Sequence, residues 1–313
     1  MSKYIGNARI GFRVSLCLVV WVIIVTPLLY TRLWYLFHMT KKDPVNRIKN
    51  TDLTMSICSR HHKILYGIFS MPHKIEARAV VRQQQTQCDF NNEISQVVFV
   101  LGMPQEDRDY DIITRESKMY HDVFVLSCKE NMNDGKTYAY FKEALEQLPC
   151  FDFYAKVDDD TAFTPSRLYN KIAEIPNNTS LYIGRSPRNY DTQIFKFIAK
   201  MIRFPFRDMR WIYRIDYYNA GMIYILNLQA VRSWVALNPV DMYGDEDYRT
   251  AYYMIEVGAR FVDLGEMFHD YVKYKTMAFI DHWRLNMTIN SLAVHQCKNE
   301  TDLYDAFQEI CSF

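Results

Sequence analysis

Net charge is nearly absent from this chain: 37 Lys and Arg stand against 36 Asp and Glu in 313 residues, a formal +1 at pH 7. That balance gives no electrostatic attraction to a polyanion, so nucleic acid is not an expected partner. Internal repeats and low-complexity tracts are also missing, which removes arrays and solenoids. Gly and Pro, ten of each, and a 23% charged fraction are not the composition of a disordered chain. A complete P-loop is lacking too. Gly135-Lys136-Thr137 has the tail of one, but Glu130 stands where its first glycine belongs, so a helix start is the reading.

What is present is apolar. Hydrophobic residues make up 49% of the chain, enough for one large domain or two small ones. Aromatics reach 15%, with 23 Tyr, which suits a Tyr-rich core or, less simply, a surface for sugars and flat rings. Residues 14–31 carry no charge and are bracketed by Arg13 and Arg32. As a helix they would span ~27 Å, close to a bilayer core. With Leu33 to Phe37 added, 14–37 reads as a membrane anchor after a 1–13 tail. A signal peptide is the competing reading, although no small-residue cleavage site follows. Basic residues flank the span on both sides, so charge does not orient it. Sequons at Asn177, Asn178, Asn286 and Asn299 all follow the span and favour a lumenal C-terminal part. Six cysteines also follow it, Cys58, Cys88, Cys128, Cys150, Cys297 and Cys311, which suits disulfides in an oxidising lumen or buried free thiols.

Residues 38–58 are polar and poorly patterned and read as a short stem. Beyond them, apolar runs at 64–69, 97–101, 123–126 and 153–157 read as strands, with a helical stretch over 136–148. Further runs at 221–226 and 261–264 read as strands, with helical stretches at 229–237 and from the acidic 245–247 segment to 257. Strands alternating with helices predict an α/β fold with a mainly parallel sheet flanked by helices. Ligands of such folds bind beyond the carboxyl ends of strands.

The 153–157 strand runs into Asp158-Asp159-Asp160. Three adjacent carboxylates repel unless a cation compensates, and they offer hard oxygen ligands for Mn²⁺ or Mg²⁺. The plainer alternative is a solvated acidic turn that caps a helix. Asp245-Glu246-Asp247 has the same two readings: helix-start acids favoured by the dipole, or a general base for a hydroxyl. Lys156 lies on the strand just before the triplet and can face phosphate, a carboxylate or solvent. His295 matters only if the fold returns it to the triplet. Asp158 and Asp160 also have the spacing of aspartate-nucleophile phosphatases, but Ala162 stands where that family has a small polar residue.

Taken in order, these pieces resemble the inverting β-1,3-galactosyltransferase and N-acetylglucosaminyltransferase family that includes the fringe proteins. The resemblance runs from about Ile64 to His295. It is carried by Arg78-x-x-x-Arg82, VVFVLG, Glu116-Ser117-x-x-Tyr120-x-Asp122, Glu130-Asn131 with Gly135-Lys136-Thr137, FYAKVDDDTAF, LYIG, Glu246-Asp247 and His295. It implies a GT-A fold, a type II Golgi anchor with residues 59–313 as a lumenal glycosyltransferase domain, a UDP-sugar donor with UDP-galactose favoured, a glycan acceptor and Mn²⁺, with Mg²⁺ as the alternative. It further implies that Asp160 and His295 hold the metal. Asp158, Asp159, Arg78 and Arg82 would serve the donor, and Asp247 would be the base, with Glu246 as fallback. The chain departs from the family pattern at Gln83-Gln84-Gln85 and at Asn219-Ala220-Gly221. A membrane-anchored binding protein that kept this fold without its chemistry is the non-enzyme alternative.

Overall fold

A computed structural model of the protein describes residues 63–88, 94–186, 218–239, 244–271 and 287–312. The expected tail, anchor and stem lie outside these residues, as does Asn286. Among the described residues no helix is long and apolar enough to cross a membrane.

The elements follow one another as β1 (Ile64–Phe69), α1 (Ile75–Gln87), β2 (Ser95–Met103), α2 (Asp107–Tyr120), β3 (Val123–Lys129), α3 (Lys136–Gln147), β4 (Phe153–Asp158), β5 (Ala162–Phe163), α4 (Pro165–Ala173) and β6 (Leu181–Gly184). After them come β7 (Ile223–Asn227), α5 (Leu228–Leu237), α6 (Glu246–Glu256), β8 (Arg260–Asp263), β9 (Phe268–Asp270), β10 (Ala293–His295) and α7 (Glu300–Cys311). Seven strands form the main sheet in the order β3-β2-β1-β4-β7-β6-β8. All pair in parallel except at β7, which runs against both neighbours, β4 and β6. The mainly parallel sheet expected from the sequence is therefore present.

The strands read as unbroken apolar runs because helices cover both faces. On β1, Ile64, Tyr66 and Ile68 join one core, with Val81 of α1, Leu168 of α4 and Phe307 of α7. Leu65 and Phe69 join the other, with Phe141 of α3, Trp234 of α5 and Met254 of α6. Each fully buried large apolar side chain contributes ~1.5–3 kcal/mol.

Polar residues set the helix starts. Asn227 accepts from the Ala230 amide (3.0 Å) at α5, and Asn299 accepts from the Asp302 amide (2.9 Å) at α7. Gly135 takes a left-handed φ of 81° immediately before α3, the geometry a glycine enters without steric cost. This is the helix start expected in place of a P-loop.

Strands β5, β10 and β9 make a second, three-stranded sheet. The pairing of β10 with β5, directly after the acidic triplet, returns the end of the chain to the end of β4. A disulfide joins Cys88, just past α1, to Cys311 at the end of α7, while Cys128 and Cys297 are free thiols. Asn177 and Asn178 are exposed, whereas the Asn299 amide nitrogen already donates to Asp302 (2.9 Å).

Candidate active site

Strand β4 ends on the triplet, and the small sheet brings His295 to it. Val294 pairs with Ala162, and the Cys297 amide donates to the Asp160 carbonyl (3.0 Å). His295 Nε2 then stands 3.2 Å from Asp160 Oδ1 and 3.7 Å from Asp158 Oδ2. Its other ring nitrogen faces Asp270 Oδ1 at 3.6 Å, because β9 and β10 pair in parallel with His295 opposite Asp270.

One ligand atom each from Asp158, Asp160 and His295 lie within 4.8 Å of one another. Ligands of a hard divalent ion at ~2.1 Å stand roughly 3–4 Å apart, so two carboxylates and an imidazole so placed fit a shared ion of the Mn²⁺ or Mg²⁺ type. Burial disfavours the imidazolium, but the contacts with Asp158, Asp160 and Asp270 outweigh it and push the His295 pKa up to about 11. Asp160 is held down to about 2: burial acts against that, and His295 and Lys298 overcome it.

Two cavities meet at Asp158 and His295. The smaller, ≈ 210 Å³, is lined by Ser70, Met71, Lys74, Lys136, Asp159 and Lys298, among others. Lys74 Nζ donates to Asp159 Oδ1 (2.7 Å), and Lys298 bonds to Asp160 Oδ2. The larger, ≈ 460 Å³, is lined by Lys156, Arg185, Tyr218, Gly221, Glu246 and Asp247, among others.

Helix α6 delivers its two acids to the larger cavity in different states. Glu246 accepts from Tyr224 Oη and from Lys156 Nζ (3.1 Å), so both of its oxygens are engaged. Asp247 accepts one bond, from the Gly221 amide to Oδ2 (2.8 Å), and its buried Oδ1 has no partner. Burial first, and the Glu246 charge second, raise the Asp247 pKa well above the usual carboxylate range, although Lys156 works the other way. A carboxylate so raised holds a transferred proton more readily than an ordinary aspartate.

The structure thus brings together Asp158, Asp159, Asp160, His295, Glu246 and Asp247. Arg78 and Arg82 line neither of these two cavities and are engaged by groups of the protein itself. Arg78 is wholly buried and uses all five of its N–H groups. It donates to Glu116 Oε1 (2.8 Å) and Oε2 (2.6 Å), Ser70 Oγ (3.0 Å), Met71 O (2.6 Å) and Pro72 O (3.1 Å). Arg82 forks onto Asp122 (2.7 and 2.8 Å), pairs with Glu116 (2.8 Å) and stacks on Tyr120, its carbon 4.0 Å from the ring centre. The two sequence segments Arg78-x-x-x-Arg82 and Glu116 to Asp122 are therefore partners of each other. They hold the turn after β1, where Arg78 donates to Ser70, Met71 and Pro72.

Sequence reasoning left Lys156 undecided, yet it is a site residue, 1% exposed with Nζ 2.7 Å from Asp158 Oδ1. The available signal was its place two residues before Asp158 on a strand, hence on the same face. The Asp158 carboxylate thus pairs with Lys156 and faces His295 Nε2 at 3.7 Å. Asp270 carried no sequence signal; only strand pairing puts it beside His295.

A family model described as Galactosyltransferase matches residues 76–264. The chain is 28% identical over 161 residues to the "Beta-1,3-galactosyltransferase pvg3" of Schizosaccharomyces pombe, a match covering 46% of this chain and 41% of that protein. It therefore spans about two fifths of the length of that curated relative. Among solved structures it is similar to the WbbM bifunctional glycosyltransferase (12% identity, TM-score 0.44, covering 80% of this chain and 50% of that one). It is also similar to the galactosyltransferase LgtC with donor and acceptor sugar analogs (11% identity, TM-score 0.43, 80% of this chain and 95% of that one).

Proposed function

The chain belongs to the galactosyltransferase family, and on that premise we propose that it is a metal-dependent inverting glycosyltransferase with a GT-A-like fold. In this reading it moves galactose from UDP-galactose to a glycan hydroxyl in β-1,3 linkage. The observation that carries it is the triplet standing between two unlike cavities, one edged by lysines and the other by a carboxylate with a spare oxygen.

The lysine-edged cavity suits a diphosphate. Held by Asp158, Asp160 and His295, a Mn²⁺ or Mg²⁺ ion would supply the positive charge that stabilises the departing nucleotide. Lys74, half-buried, and Lys298, exposed, now paired with Asp159 and Asp160, would face the same phosphates. Asp159 positions Lys74 and lines the donor side. Across the triplet, Asp247 Oδ1 accepts the proton of the attacking hydroxyl, a contribution of ~10²–10⁴ in rate. Glu246, with both oxygens bonded, is the poorer acceptor and serves as a fixed partner for Lys156. A base on one side of the sugar and a leaving group on the other gives single displacement with inversion.

Galactose as the sugar and the β-1,3 linkage are supported by the name of the Schizosaccharomyces pombe relative. A Golgi membrane location, with a single-pass anchor at 14–37 and the catalytic part lumenal, is supported by the uncharged run at 14–31 and the sequons that follow it.

The test is UDP release by the purified chain across a panel of UDP-sugars and glycan acceptors, with Mn²⁺ and with chelator. The expected result is chelator-sensitive release that is largest from UDP-galactose. UDP binding with no release from any donor and acceptor pair would instead make the chain a binding protein.

A further inference from the structure

The two halves of the site are joined by one side chain, which also lines the larger cavity. Lys156 is 1% exposed, and its Nζ donates to the Gly221 carbonyl (2.8 Å) and to Glu246 Oε2 (3.1 Å) while pairing with Asp158 Oδ1 (2.7 Å). Gly221 passes the connection on, since its amide donates to Asp247 Oδ2 (2.8 Å). The fit is close: a Cβ at Gly221 would stand 2.7 Å from Asp247 Oδ1 and 2.9 Å from Lys156 Nζ. A lysine ammonium has three N–H groups, and three acceptors surround this one. A buried ammonium is costly unless it is paired, so its place is fixed by the carboxylates it joins.

We propose that Lys156 is a positioning residue that sets Asp247 in register with the triplet, acting through the Gly221 backbone on one side and Glu246 on the other. The inference rests on the reading of Asp247 as the base. Asp158 is anchored to β4, whereas Asp247 is on α6, a different element whose first turn is tied to β4 through this lysine. Without it, Gly221 loses the acceptor bond that fixes its carbonyl and Glu246 loses a cation. The Asp247 carboxylate is then no longer held against the attacking group. Misplacement by ~1 Å costs ~10²-fold in rate even where no reacting atom is removed.

The experiment compares four full-length proteins: the parent, Lys156→Met, Glu246→Gln and the double variant. Lys156→Met alone takes a cation from both Glu246 and Asp158 and can lose its fold, so Glu246→Gln is the background that decides. In that background, Lys156→Met is expected to lower kcat a further ~30–100-fold while UDP affinity with Mn²⁺ changes less than about threefold. Hydrogen exchange of the same proteins is expected to lose protection over residues 219–222 and the first turn of α6, and to keep it over β1 to β3. A double variant whose kcat stays within about threefold of Glu246→Gln would show that Lys156 only neutralises Glu246, and would overturn the proposal. Unchanged exchange at 219–222 would overturn it as well. Absence of transfer by the parent from every UDP-sugar would instead remove the reading of Asp247, and the exchange pattern would still decide whether Lys156 holds this segment.

Discussion

Two regions of this molecule bury charge, and they do it in opposite ways. Between α1 and α2, Arg78 has a partner for every N–H, and both oxygens of Glu116 are taken. At the cleft, carboxylates crowd at the end of β4 and the start of α6, and the buried Asp247 Oδ1 is left without a partner. Charge that is fully satisfied makes scaffold: it holds a turn in one place and offers nothing to a ligand. Charge that is left over, at the wall of a cavity, is what a cation, a phosphate or a proton can complete. By that measure the arginines read as scaffold and Asp247 as the group left for the proposed chemistry, although the sequence presents both as charged residues of one motif set.

Substitutions at each region separate the two. The largest effect is expected at the triplet. Asp160→Asn should lower UDP release by ~10³-fold and remove its sensitivity to chelator, with the thermal midpoint kept; wild-type release from this variant would refute the metal assignment. Next comes Arg78→Met, which leaves Glu116 buried without one of its cations. It should cost ~3–5 kcal/mol of stability, read as a lower midpoint in urea unfolding. Little change there would mean that the pair is not the clamp described.

A smaller effect is expected from pH. The Asp247 carboxyl sits well above its ordinary value, chiefly through burial and then through Glu246. In the proposed role of base it must be deprotonated, so kcat should rise with pH along an acid limb displaced above the usual carboxylate range. Between the unfolded value of ~3.9 and the raised one, the native state holds an extra proton, so this group's contribution to stability falls as pH rises. Asp247→Asn should remove that slope from the pH dependence of unfolding.

The sequence made the scaffold more legible than its partnerships. Strands β1, β2, β3 and β4 stand out because burial on both faces leaves a mostly apolar run in each. The reversed direction of β7 has no such mark, since an apolar run reads the same in either sense. Helix α7 buries Leu303, Ala306, Phe307 and Ile310, spacings that fit one helical face, yet no sequence element was read there. The two- and three-residue strands β5, β9 and β10 are too short to announce themselves, although they are what carries His295 to Asp160. At the site, residue type showed the triplet and the late acid pair. It could not show that Arg78 forks onto Glu116, or that both Glu246 oxygens are bonded and Asp247 Oδ1 is not, because partners distant in sequence decide both.

The most direct test of the account is Asp247→Asn, measured in parallel for UDP affinity by calorimetry with Mn²⁺ and for turnover with the acceptor that the parent uses. The account predicts UDP affinity within about threefold of the parent and turnover reduced ~10²–10⁴-fold. Turnover equal to the parent's, with affinity unchanged, would contradict it and take the base elsewhere on the cleft.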